Sequence, residues 1–120
     1  MISIACFILS CKKETIKQPL NNRKEVSIEY RITLDKDVIT QGDIIYTDEA
    51  GVVTVADKRT LPFYRKFKRM VHKPAVLLLG IIAKYSGRVI IEIIVDGEVV
   101  SRGKSGNLLN NREMLKYTIH

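Results

Sequence analysis

Cysteine is nearly missing from this chain. Both copies, Cys6 and Cys11, fall in the first eleven of its 120 residues. The body that follows has no thiol, so it can build neither a disulfide framework nor a thiolate metal centre. Histidine is confined to His72 and His120, which leaves a transition metal without ligands as well. No Ser or Thr has a His partner in a nucleophile context, so acyl transfer has no candidate machinery. Tryptophan is absent and proline occurs three times. No apolar run approaches the roughly 20 residues that a membrane-crossing helix needs. These absences point away from an enzyme and away from any cofactor.

Two motif-like coincidences are set aside on their context. Asp48 with Glu49, and Asp96 with Glu98, are carboxylate pairs, but each sits where a hairpin loop is expected, and Asp favours such loops through local hydrogen bonds. Gly103-Lys104-Ser105 imitates the end of a phosphate-binding loop. That pattern needs a glycine five residues earlier, where Glu98 stands, and a helix afterwards, where the sequence reads as strand.

The chain has enough residues for one domain, and 46% of them are apolar, which argues for a packed core over disorder. Lys and Arg number 20 against 13 Asp and Glu, a net +7. That balance suits anionic partners such as lipid headgroups, polyanionic glycans or nucleic acid, and it also serves solubility alone.

Met1 to Leu9 form a short uncharged apolar run, followed by Ser10, Cys11 and then Lys12-Lys13-Glu14. The run has the length of a signal-peptide core. The segment Ile8-Leu9-Ser10-Cys11 resembles a bacterial lipobox, and the charges after it resemble those of lipoproteins from the Bacteroidetes lineage. The resemblance implies cleavage before Cys11 and diacylglyceryl attachment to its thiol. Two acyl chains hold a protein stably at a bilayer where one does not. The run carries no positive residues before it, and an ordinary first strand with a buried Cys11 is the alternative. Residues 12–25 carry seven charges and little apolar bulk, the composition of a tether. The expected organisation is a signal peptide at 1–10, a lipidated Cys11 with tether at 11–25, and a β-sandwich domain at 26–120.

Val26, Ile28, Tyr30, Ile32 and Leu34 alternate with polar residues, the period of a half-buried strand. Residues 43–47 and 52–55 flank Asp48-Glu49-Ala50-Gly51, with Gly51 suited to a left-handed loop position. Leu61 to Arg69 opens on Leu61-Pro62 and fits an edge strand, where proline is tolerated. Ala75 to Ala83 is apolar on both faces; a helix is the rival, but Pro74, Gly80 and the β-branched residues favour a covered strand. Val89, Ile91, Ile93 and Val95 lead into Asp96-Gly97, a type I′ hairpin signature that sets Val95 opposite Glu98 and Ile93 opposite Val100. Leu115, Tyr117 and Ile119 make a last strand. Seven or eight strands with no helix predict an all-β sandwich or barrel.

Ile44-Ile45-Tyr46-Thr47-Asp48-Glu49-Ala50-Gly51, Leu61-Pro62-Phe63 and Ile93-Ile94-Val95-Asp96-Gly97-Glu98-Val99-Val100 follow one another in an order and spacing that resembles the MmpS (mycobacterial membrane protein small) family, over roughly residues 28 to 106. The family has an ITYTDASG hairpin, a PW opening to its middle strand and a VDG hairpin near its end. The resemblance implies an immunoglobulin-like β-sandwich of about seven antiparallel strands, tethered outside the cytoplasmic membrane and accessory to large lipid exporters. This chain departs from the family in three places. A lipobox-like segment stands where the family has a transmembrane helix, Phe63 stands at the tryptophan, and the late cysteines are missing, with Ile91 in that region. The departures bear on the exporter partnership, not on the fold.

One cluster stands out in the body. Lys58, Arg59, Arg65, Lys66, Lys68, Arg69 and Lys73 place seven bases and no acid within sixteen residues, interleaved with Phe63, Tyr64 and Phe67. On a strand, Lys66 and Lys68 share one face and Arg65 and Arg69 the other. Charges of this kind protect an edge strand from aggregation without any ligand. Beside an anchored Cys11, Arg65, Lys66, Lys68, Arg69 and Lys73 are instead candidates for contact with anionic lipid, each base adding roughly 1 kcal/mol near a charged surface. The function expected is a membrane-anchored, extracytoplasmic binding or accessory lipoprotein that aids envelope transport. The alternative is a basic β-barrel that binds nucleic acid through the aromatic strand.

Overall fold

The computed structural model describes residues 23–36, 41–83, 86–109 and 111–120. The signal peptide, Cys11 and most of the tether lie outside the described residues. Eight strands make up the described fold: β1 Arg23–Lys36, β2 Gln41–Thr47, β3 Val53–Thr60, β4 Phe63–His72, β5 Ala75–Ala83, β6 Arg88–Val95, β7 Glu98–Lys104 and β8 Asn111–Ile119. They form two antiparallel four-stranded sheets, ordered β4-β1-β6-β7 and β3-β2-β5-β8. Eight is the upper end of the seven or eight expected, and the expected last strand is longer than residues 115–119: Asn111–Ile119 pairs along the whole of β5.

Alternation in β1 sets the core. Val26, Ile28, Tyr30 and Ile32 are buried, and each contributes roughly 1.5–3 kcal/mol relative to exposure. They meet Ile44 and Tyr46 of β2 and Leu77, Leu79 and Ile81 of β5 in one cluster shared by both sheets. Tyr30 also links the sheets through a polar contact, its hydroxyl donating to the Thr47 carbonyl at 2.7 Å. β1 starts at Arg23, three residues before the expected domain boundary, and pairs with the end of β4, Arg23 opposite His72.

Both expected hairpins are present. In the first, Gly51 has φ 82°, and Asp48 organises the loop by accepting from the Ala50 and Val52 amides and the Thr54 hydroxyl. In the second, Asp96 and Gly97 have φ 51° and 83°, the two left-handed positions a type I′ turn demands. Val95 lies opposite Glu98 as expected. Ile93, however, faces Ser101 and not Val100, because the register slips between Ile93 and Ile94.

The Ala75–Ala83 strand is β5, interior to its sheet, but it is covered on one face only. Ala75, Leu77, Leu79, Ile81 and Ala83 are buried, while Val76 and Ile82 are exposed. Leu61-Pro62 precedes the edge strand β4, as expected, with Leu61 buried. β7 and β8 meet along one flank of the pair of sheets. β3 and β4 are the edge strands of the other flank, and the basic residues gather there.

Candidate functional site

β4 alternates, and its alternation decides where each base goes. Phe63, Arg65, Phe67, Arg69 and Val71 turn toward the core side, whereas Tyr64, Lys66, Lys68, Met70 and His72 are exposed. Phe67 packs edge-on against the Tyr30 ring at 5.8 Å between centroids, and Phe63 lies 6.0 Å from Tyr46. The aromatic residues thus fix the parity of the strand, and Arg65 and Arg69 are carried inward with them.

Each arginine sits in a built environment. The Arg65 guanidinium lies over the Tyr46 ring, 5.5 Å from its centroid, a geometry worth roughly 0.5–1 kcal/mol at partly exposed sites. Its Nη2 reaches Glu49 at 3.1 Å, an exposed ion pair of small net value. Arg69 lies against the β2–β3 loop: a side chain on Gly51 would place its Cβ 2.7 Å from Arg69 Nη2. Among the described residues, Arg65 Nε and Arg69 Nη1 are buried and have no hydrogen-bond acceptor. An N–H left so is costly, which marks both groups as donors suited to an added acceptor.

Two open grooves of about 520 Å³ flank these arginines. The first is lined by Lys58, Arg59 and Arg65, by Tyr46, Phe63 and Tyr64, and by Ala56, Thr60 and Pro62. Three cations and no carboxylate line it. Its β3 wall is shaped by an irregularity: the register with β2 slips between Gly42 and Ile44, Lys58 takes φ 51°, and its amide donates to Asp43 Oδ1 at 2.9 Å. A lysine with positive φ is an uncommon conformation, and bulges of this kind re-aim side chains beside binding sites. The second groove includes Arg69, Glu49 and His72 with Met70, Val53, Val76 and Leu78.

The structure therefore divides the expected binding residues. Arg65 and Arg69 lie on the inner side of the flank, each beside a groove. Lys66 and Lys68 point out from the other face of β4, opposite Glu29 and Ser27 of β1. Lys73 is half-buried in the link between β4 and β5. Lys58 and Arg59 join Arg65 from β3, and Tyr46 joins from β2. Sequence reasoning had no access to Tyr46 as a groove residue, since its neighbours there come from other strands.

In chemical terms the first groove offers cationic donors beside aromatic walls, suited to a phosphate or carboxylate carried on an apolar body. Among the described residues, no three of His, Cys, Asp and Glu come together in a metal-holding group. No known protein-family model matches the chain, and no curated protein matches it in sequence.

Proposed function

We propose that this chain is an extracytoplasmic binding protein, held at a membrane by acylation of Cys11, whose β3–β4 flank takes anionic lipid headgroups in support of envelope transport. One observation carries the binding half of this reading: Lys58, Arg59 and Arg65 converge on a groove with three aromatic walls and no acid. The lipobox-like Ile8-Leu9-Ser10-Cys11 supports the anchoring half. The resemblance to the MmpS family supports both an immunoglobulin-like arrangement of the sheets and an accessory role beside an exporter.

Each half has its own test. Mass spectrometry of the mature protein is expected to find a chain beginning at an acylated Cys11, and Cys11→Ala is expected to move the protein out of the membrane fraction. A mature chain that keeps Met1 and a free thiol ends the anchoring half. For the binding half, titration with a soluble short-chain phosphatidic acid is expected to shift the Arg65 side-chain and Lys58 amide resonances, and Arg65→Ala is expected to weaken the affinity. Shifts scattered over the protein, or none, would remove the groove as the site. Salt-dependent capture of single-stranded nucleic acid, with no response to the lipid, would move the reading to the barrel-like alternative.

A further inference from the structure

The two sheets differ in what they show to their surroundings. The outer face of the β4-β1-β6-β7 sheet is laced with ion pairs: Arg31 reaches Glu29 at 2.8 Å and Glu92 at 3.8 Å, and Arg102 reaches Glu92 at 3.2 Å. The outer face of the β3-β2-β5-β8 sheet has the opposite character. Register places Val55 beside Ile45, Ile45 beside Gly80, and Gly80 beside Met114, an apolar row running across all four strands. Met114 lies over Gly80, where a Cβ would meet its Sδ. Val53, Val76, Leu78 and Ile82 flank that row, and Val53, Val55, Val76, Ile82 and Met114 are all exposed. Antiparallel sheets with a solvated face ordinarily turn polar residues to it. A contiguous apolar face on a small protein marks a surface that meets something.

The charges on this face select the occupant. β8 contributes Arg112 and Lys116, both exposed, and β3 adds Lys58 and Arg59 at its end; against these four bases stand Asp57, which follows the parity of Val53 and Val55, and Asp43 of β2, whose Oδ1 is engaged by the Lys58 amide. The face runs along β3 into the groove that carries Lys58 and Arg59. Apolar side chains bordered by bases suit a bilayer surface with anionic headgroups, where apolar groups enter the interface and cations stay at headgroup level. Position agrees with the bilayer. β1 begins at Arg23, paired with His72, and the two-residue link from His72 leads to the Ala75–Val76 end of β5. The chain between Cys11 and Arg23 reaches at most about 40 Å, so an acylated Cys11 leaves this end of the face within that distance of the membrane.

We propose that the outer face of the β3-β2-β5-β8 sheet, centred on Val55, Ile82 and Met114, rests on an anionic lipid surface. The inference rests on the membrane reading above for its source of lipid and adds a second contact to the acyl anchor. The experiment therefore removes the anchor. Full-length Cys11→Ser protein is mixed with phosphatidylcholine vesicles, with and without phosphatidylglycerol, and bound protein is measured by flotation. The phosphatidylglycerol vesicles are expected to capture the protein and the neutral ones to capture far less. Val55→Glu with Ile82→Glu, at positions 55% and 37% exposed, is expected to lower the affinity by at least about ten-fold. Val99→Glu is the control, at a position 47% exposed on the other sheet, and it is expected to change little. Circular dichroism and urea midpoints check that both variants remain folded.

Equal capture of the parent and the double variant would overturn the inference, as would no capture of the parent or an equal loss in Val99→Glu. So would a dimer in light scattering that the double variant dissolves, since the face would then belong to a second copy. None of these failures touches the mass measurement on Cys11, so the anchor and the face are judged separately.

Discussion

Replacing Tyr30 with Phe isolates a polar bond that ties the two sheets through the core. Tyr30 is fully buried, its ring lies 5.9 Å from that of Tyr46 and 5.8 Å from that of Phe67, and its hydroxyl donates to the Thr47 carbonyl at 2.7 Å. A phenyl ring keeps both ring contacts and loses only that hydrogen bond, which is worth about 1 kcal/mol net. Tyr30→Ala would remove the ring as well and cost about 3–5 kcal/mol, so the pair of variants separates bond from packing. The Tyr30→Phe substitution also predicts a crossover with pH. Burial pushes the Tyr30 hydroxyl well above its ordinary value near 10. In the unfolded chain it ionises from about pH 10, while in the folded chain it stays protonated. Stability from Tyr30 is therefore complete below pH 10 and falls above it by about 1.4 kcal/mol per pH unit. An advantage of about 1 kcal/mol is used up near pH 11 at that slope, and the Tyr30→Phe variant has no such loss. Urea melts of both proteins from pH 7 to 11 should show the parent ahead at neutrality and the curves meeting near the top of the range. Parallel curves would refute the buried, protonated hydroxyl; equal stability at pH 7 would refute the value assigned to the bond.

Three further outcomes follow from backbone and loop geometry. Gly80→Ala places a Cβ 2.8 Å from the Glu113 carbonyl oxygen, which cannot move aside as a side chain can, so a loss of about 1–3 kcal/mol is expected in urea melts. Gly51→Ala at φ 82° adds left-handed strain of about 1 kcal/mol and drives against Arg69 Nη2; Gly97→Ala, with φ 83° and open space around it, should show the strain alone. Asp48 is held below the usual carboxylate range, first by the Val52 amide and then by the Thr54 hydroxyl and the Ala50 amide. Its contribution is present above the unfolded value near pH 4 and fades as pH falls through the lowered folded value. Asp48→Asn should therefore be destabilised at pH 7 and lose less than the parent between pH 5 and 2, as read by thermal melts.

Period-two alternation made β1 and β4 legible because each buries a single face and residues of one parity share one fate. The two hairpins were legible for a different reason: Gly51 and Asp96-Gly97 supply left-handed backbone positions that few residues tolerate. What alternation could not give was the slip that sets Ile93 opposite Ser101, since an extra residue in one strand leaves no mark in composition. The Ala75–Ala83 segment misled in another way. An apolar residue at every position reads as burial on both faces, yet among the described residues the layer packed on β5 is the opposite sheet, and Val76 and Ile82 are left exposed. Coverage is a property of the topology, and two sheets can cover only two of their four faces.

The basic cluster is where edge protection and ligand binding make different demands. An edge strand is protected by charges that solvent can reach, and Lys66 and Lys68 meet that demand fully. Arg65 and Arg69 do not, since they share the parity of Phe63, Phe67 and Val71. That parity was readable in the sequence: two arginines spaced between aromatic and aliphatic residues of the same face are bound to follow them inward. Once inward, a guanidinium must replace the water it gave up. Glu49 and the Tyr46 ring do this in part for Arg65, but among the described residues its Nε has no acceptor, and neither has Arg69 Nη1. Edge protection has no use for donors held in that state, whereas an acceptor in each of the two grooves would complete them. The half-solvated arginines, and not the seven positive charges as a sum, are therefore the reason to look for a ligand on this flank.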